Sequence, residues 1–193
     1  PEGQPKIKLM IQHFKKAIEI YPEYYQAWNQ LGEIYMVVKD NYDMADRIFR
    51  KALSINPELQ KAYYNLGYLN YKNQKYELAK KYYKQYLDFQ PEHVGVHSML
   101  SKMAFRQDSL EKALEWNRKI LEFNPDNAEA YFNMGNFQLQ HGDTTVAVEN
   151  FEKAAQLNPR NKQLNKNLYR HFKKKGNMEK ANYYLNLEPK EED

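Results

Sequence analysis

Residues 124–159 read NPDNAEAYFNMGNFQLQHGDTTVAVENFEKAAQLNP, a segment bounded by two Asn-Pro dipeptides whose prolines, Pro125 and Pro159, lie 34 residues apart. Asn56-Pro57 repeats the dipeptide, and Pro22 and Pro91 extend the series, so the proline spacings are 35, 34, 34 and 34. Proline offers no N–H to a helix and drives its predecessor out of the α region, so each marks a helix end. Stops recurring at one period signal an internal repeat, and a period of this size belongs to stacked supersecondary units.

Other positions keep the same register. Twelve residues before the prolines stand Met10, Ala45, Ala79, Ala113 and Ala147; eight before stand Phe14, Phe49, Tyr83, Asn117 and Phe151; five before stand Ala17, Ala52, Tyr86, Ile120 and Ala154. A small residue with a ring one turn later suits two helices that cross closely, the ring filling the adjacent gap. Earlier in each unit come Trp28, Leu31, Gly32 and Tyr35, then Tyr63, Leu66 and Gly67, then Tyr131, Met134 and Gly135. Spacings of three and four place these on one helical stripe. Glycine in mid-helix costs about 1 kcal/mol against alanine, so its recurrence predicts close backbone contact. Between the two helices lie short breaker-rich turns, Lys39-Asp40-Asn41, Asn73-Gln74-Lys75, Gln107-Asp108-Ser109, Gly142-Asp143 and Gly176-Asn177. Such turns make the helices antiparallel neighbours, and the first carries the extra residue of the 35-residue unit.

This combination resembles the tetratricopeptide repeat family, a 34-residue helix–turn–helix with a Trp/Leu/Gly/Tyr, Ala, Phe, Ala, Pro pattern, over residues 5–188. The resemblance implies an all-α, right-handed superhelical solenoid of antiparallel helix pairs, about five and a half repeats long, with the first helices lining a concave groove. The boundaries are a half repeat at 5–24, repeats at 25–59, 60–93, 94–127 and 128–161, and a capping repeat at 162–188. Segments 1–4 and 189–193 are expected to be disordered tails, the second acidic. The unit 94–127 departs most from the pattern, with His97, Ser101 and Ala104 at the Trp, Gly and Tyr places and Asn117 at the second-helix Phe place. In the last unit Tyr169 replaces the glycine, and a run of Lys and Arg against a lone Glu179 reads as a solvated cap. Beginning in mid-repeat points to a piece of a longer chain, the alternative being that helix 5–20 is itself a cap.

The chain has 193 residues, a net charge of +4 and no cysteine. The missing thiols exclude disulfides, cysteine-ligated metal and thiol nucleophiles. No run approaches the roughly 20 apolar residues of a membrane helix, and the polar start lacks a signal pattern, so no membrane insertion is expected and the cytoplasm is the favoured compartment. Glycines are scattered singly, which argues against a phosphate loop. His93 and His97 are four apart, but Val94-Gly95-Val96 between them breaks the zinc-helix pattern, so they read as surface and repeat-position histidines. No catalytic residue, metal, cofactor or small-molecule substrate is expected. The near-neutral balance argues against nucleic acid despite the basic end.

What remains is binding. The resemblance puts Asn29, Glu33, Lys61, Tyr64, Asn65, Tyr68, Lys102, Arg106, Phe132, Asn133, Asn136, Lys166, Asn167 and Arg170 on the groove side of the first helices. Asn65, Asn133 and Asn167 share one place in their units, where an amide can both donate to and accept from a peptide backbone. Tyr64, Tyr68 and Phe132 are candidate flat anchors. Chaperone-binding members of the family carry a Lys/Asn, Asn, Lys/Arg clamp for a terminal carboxylate, and no three consecutive units here reproduce it. The expectation is therefore a non-catalytic interaction module that holds a protein or peptide segment in this groove. A self-assembling scaffold that associates through its end helices, or an accessory region of a larger enzyme or membrane protein, is the alternative.

Overall fold

A computed structural model describes residues 4–187, and all the regular structure among them is helical. In chain order the helices are α1 (Gln4–Ile20), α2 (Tyr25–Val37), α3 (Tyr42–Ile55), α4 (Gln60–Lys72), α5 (Tyr76–Leu87), α6 (Val94–Arg106), α7 (Leu110–Phe123), α8 (Ala128–Gln140), α9 (Thr144–Leu157), α10 (Lys162–Lys174) and α11 (Met178–Leu185). The fold is an all-α repeat solenoid, with α1 as a leading second helix and five pairs after it. Of the tails expected at 1–4 and 189–193, Gln4 already belongs to α1, and the remainder lies outside the described residues. The helices group into two compact units, one ending at Pro91 and the other beginning at Glu92.

In the first unit the recurring glycine meets the recurring ring. A Cβ on Gly32 would stand 2.7 Å from Phe49 Cε1, and one on Gly67 would stand 2.5 Å from Tyr83 Cδ1. Only a bare backbone lets α3 and α5 lay a fully buried ring against α2 and α4. Ala45, Ala52, Ala62 and Ala79 are buried at the crossings, and Leu66 and Leu69 complete the core. The polar ends of the stripe are used as well. Trp28 Nε1 donates to the Pro22 carbonyl at 2.8 Å, and Tyr63 Oη donates to the Pro57 carbonyl at 2.9 Å, tying each first helix to the turn before it.

The second unit repeats the device once and replaces it once. A Cβ on Gly135 would stand 2.7 Å from Phe151 Cδ1. At the same places in α6 and α7, Ser101 and Asn117 are wholly buried, and Asn117 Nδ2 donates to Ser101 Oγ at 2.5 Å and to the Ala113 carbonyl at 3.0 Å. Ser101 Oγ donates in turn to the same carbonyl at 2.8 Å. Hydrogen bonding thus fills the space that a ring fills elsewhere, with the Asn117 amide N–H and the Ser101 hydroxyl paired and Asn117 Oδ1 left without a partner. His97, at the tryptophan place, is buried between the rings of Trp116 and Phe123, with centroids at 5.5 and 5.4 Å. His93 caps α6 instead, Nδ1 accepting from the Val96 N–H at 3.2 Å.

The turns explain the period. Asp40, Gln74, Asp108, Gly142 and Gly176 all have positive φ, and they recur every 34 residues. Each reverses the chain after a first helix, and the next helix is capped by a side-chain oxygen at Asn41, Asp143 and Asn177, though not at Ser109. The α2–α3 connection has four residues, Val38 to Asn41, against three in the others, which locates the insertion. In the last pair the lysines and arginine of α10 are exposed, and Tyr183 and Leu185 of α11 are exposed as well.

Candidate partner-binding faces

Within each unit the first helices lie side by side. In the first unit, α2 and α4 are joined through Glu33. Asn29 Nδ2 donates to Glu33 Oε1 at 2.8 Å, and Asn65 Nδ2 donates to the same oxygen at 3.3 Å. Asn65 is only 8% exposed, so its donor is already committed to the carboxylate. Lys61 is exposed, whereas Tyr64 and Tyr68 are half-buried. The Tyr64 ring leans edge-on against Tyr86 at 5.4 Å, and Lys72 Nζ sits 5.6 Å from the Tyr68 ring centroid. Beneath them Tyr83 is fully buried with its Oη unpartnered, and burial pushes its phenol pKa well up. The face is therefore aromatic, with one carboxylate held in place by two amides.

In the second unit, Lys102 Nζ lies 3.1 Å from Glu129 Oε1, and Ser98 Oγ donates to that oxygen at 3.4 Å. This links α6 to α8. Glu129 was not among the residues expected from sequence, although its place at the start of the next first helix was a usable signal. Arg106 is exposed. Asn133 is 7% exposed and its Nδ2 has no partner, so it belongs to the helix interface as much as to the surface. Phe132 and Asn136 of α8 converge with Asn167 of α10 on a cleft of about 210 Å3. Leu139, Val148 and Leu168 supply apolar wall. Lys166 and Arg170 are exposed on α10, one residue before cleft-lining Asn167 and His171.

This arrangement can hold a ligand by stacking, apolar burial and charge. Among the described residues no cluster of His, Asp and Glu could hold a metal ion, and no helix is long and apolar enough to cross a membrane.

Fold, glycine–ring packing and period together define a class of helical repeat protein. Sequence models of the tetratricopeptide repeat match residues 13–47, 37–92, 64–128 and 128–161, and the chain belongs to that family. No curated protein sequence matches it. Among solved structures it is similar to YrrB, described as a TPR protein with an unusual peptide-binding site, at 24% identity over 89% of this chain and 88% of that one, with a TM-score of 0.65. It is also similar to MamA, at 20% identity over 82% and 94% of the two chains and a TM-score of 0.73. A third similar structure is pilF of Pseudomonas aeruginosa, at 24% identity over 84% and 74% and a TM-score of 0.64. At these identities the likeness is one of fold.

Proposed function

We propose that the chain is a non-catalytic interaction module that holds a partner segment on the face formed by its first helices. The observation that carries this reading is the state of that face. In the first unit Glu33 is fixed in advance by Asn29 and Asn65 while Tyr64 and Tyr68 stay partly exposed, and in the second Glu129 is fixed by Lys102 and Ser98 while Phe132 stays partly exposed. A face ordered before binding loses little entropy on binding, and partly exposed rings are the usual anchors of recognition. The family membership supports the same reading, as does the peptide-binding site of the similar YrrB.

The test is selection of short peptides on the immobilised chain, followed by calorimetric titration of a selected peptide. Tyr64→Ala, Tyr68→Ala and Phe132→Ala are expected to weaken binding about tenfold or more, while Arg47→Ala on α3 leaves it unchanged. Peptides that bind all four variants alike would overturn the reading. Asn65 and Asn133 are poorer probes, because both are buried and alanine there also costs stability.

A second reading has one observation behind it. Leu9 and Met10 on α1 are 51% and 46% exposed, apolar surface on which another copy of the chain could pack. Mass measured by light scattering over a wide concentration range decides it. A constant 23.2 kDa species removes this reading.

A further inference from the structure

We infer that the cleft between α8 and α10 is the socket for one bulky apolar side chain of an acidic partner segment. The inference rests on the reading of the first-helix face as a binding face and assigns chemistry to one part of it. At about 210 Å3 the cleft is smaller than the roughly 300–1,000 Å3 of a small-molecule site, and it suits a single side chain. Its walls are mainly apolar, with Phe132, Leu139, Val148 and Leu168 presenting carbon, and no Asp or Glu lines it. Leu139 is 46% exposed at the mouth, a large apolar surface left facing water.

The charge beside the cleft selects the rest of the segment. Lys162, Lys166, Arg170 and Lys174 recur every four residues and form one exposed row along α10, next to the row containing Asn167 and His171. α10 carries no acidic residue of its own. Two acidic groups on the neighbouring helices are spent elsewhere, Glu129 on Lys102 and Ser98 and Glu152 on Lys180 and Tyr184. None of the four cations in the row has an ion-pair partner among the described residues. A segment whose large side chain enters the cleft therefore runs its flanking residues past positive charge that no described residue pairs, and Asp or Glu is the complement. A polynucleotide would also meet the charge, but its bases carry polar edges that the mainly apolar walls would leave without partners.

The experiment uses the full chain and fluorescence anisotropy. The probes are a labelled acidic peptide with one central Phe, the same peptide with Ala, a lysine-rich peptide with the same Phe, and a single-stranded oligothymidylate. The acidic Phe peptide is expected to bind, with the Ala peptide weaker by about tenfold and the lysine-rich peptide weaker still. Leu139→Ala is expected to weaken the Phe peptide and leave the Ala peptide unaffected. Arg170→Glu, a surface change that leaves the core intact, is expected to weaken both acidic peptides and to reduce their salt dependence. Equal binding of the Phe and Ala peptides, tighter binding of the oligothymidylate, or no binding at all overturns the socket. Hydrogen exchange on the bound chain separates this outcome from failure of the wider reading. Protection along α2, α4 or α6 with α8 and α10 unchanged removes the socket and keeps the first-helix face. Protection confined to α3, α5 or α7 removes both.

Discussion

One methyl group added to Gly67 would lie 2.5 Å from Tyr83 Cδ1 and 2.9 Å from its Cγ, the root of a ring that is fully buried. A ring held at its root cannot swing aside, so Gly67→Ala overpacks the α4–α5 crossing. Overpacking costs about 1–3 kcal/mol, which exceeds the helix-propensity gain of about 1 kcal/mol. Gly67→Ala is therefore expected to lower the urea midpoint with an unchanged slope, and a raised midpoint would show spare room beside Tyr83. The same ring has a second cost. Its Oη is buried without a partner, and burial raises its phenol pKa in the folded chain. A group with a raised folded pKa contributes stability that is intact below its unfolded value, about 10, and lost as pH climbs past it. Tyr83→Phe is expected to be neutral or stabilising by about 1 kcal/mol at pH 7. It should also lessen the alkaline loss above about pH 10, read by denaturant melts across that range.

At the scale of the elements, the turns and the helix pairs carry separate predictions. Gln74 and Asp108 hold the left-handed conformation that glycine holds at Gly142 and Gly176. Gln74→Gly is expected to stabilise the chain by about 0.5–1 kcal/mol, and Asp108→Gly by less, since Asp tolerates this conformation better. Thermal melts of the two variants check both sign and order. In the α6–α7 pair, Asn117→Ala strands part of a buried network and is expected to cost about 1–3 kcal/mol. Ser101→Gly with Asn117→Phe, which restores the arrangement of Gly32 with Phe49, should recover most of that loss. A double-mutant cycle on positions 101 and 117 with no coupling would contradict it. The proline ruler and the Gly and Ala registers made the helix pairs legible from sequence, because each position has one packing job repeated in every unit. The polar pair was visible only as a departure. Its meaning needed the hydrogen bonds between Ser101, Asn117 and the Ala113 carbonyl.

For the whole molecule, the faces were legible and their depth was not. Helical spacing puts Asn65 and Asn133 on the first-helix side, but how far a neighbouring helix covers them is a tertiary matter, and both turn out buried. The cleft was half visible, through Phe132, Asn136 and Asn167, while its wall from α9 depends on packing that no single helix encodes. The two tryptophans fall one in each compact unit, Trp28 before Pro91 and Trp116 after it. In variants that keep one or the other, Asn117→Ala is expected to shift the Trp116 unfolding transition more than that of Trp28, because stability in repeat arrays is largely local. Coincident shifts would mean that the chain unfolds as one cooperative body. The Ser101–Asn117 pair finally bears on how such a chain assembles without error. Helices that share a glycine groove and a ring are interchangeable in principle, so α2 could dock on α5, or α4 on α3, with the same knob and hole. Asn117 laid against Gly32 or Gly67 would lose the Ser101 hydroxyl and keep only the Ala113 carbonyl of its own helix as acceptor, and a ring driven onto Ser101 would collide with its hydroxymethyl group. That one pair acts as a key cut for a single lock, and it discourages shuffled partnerships while the chain is still folding.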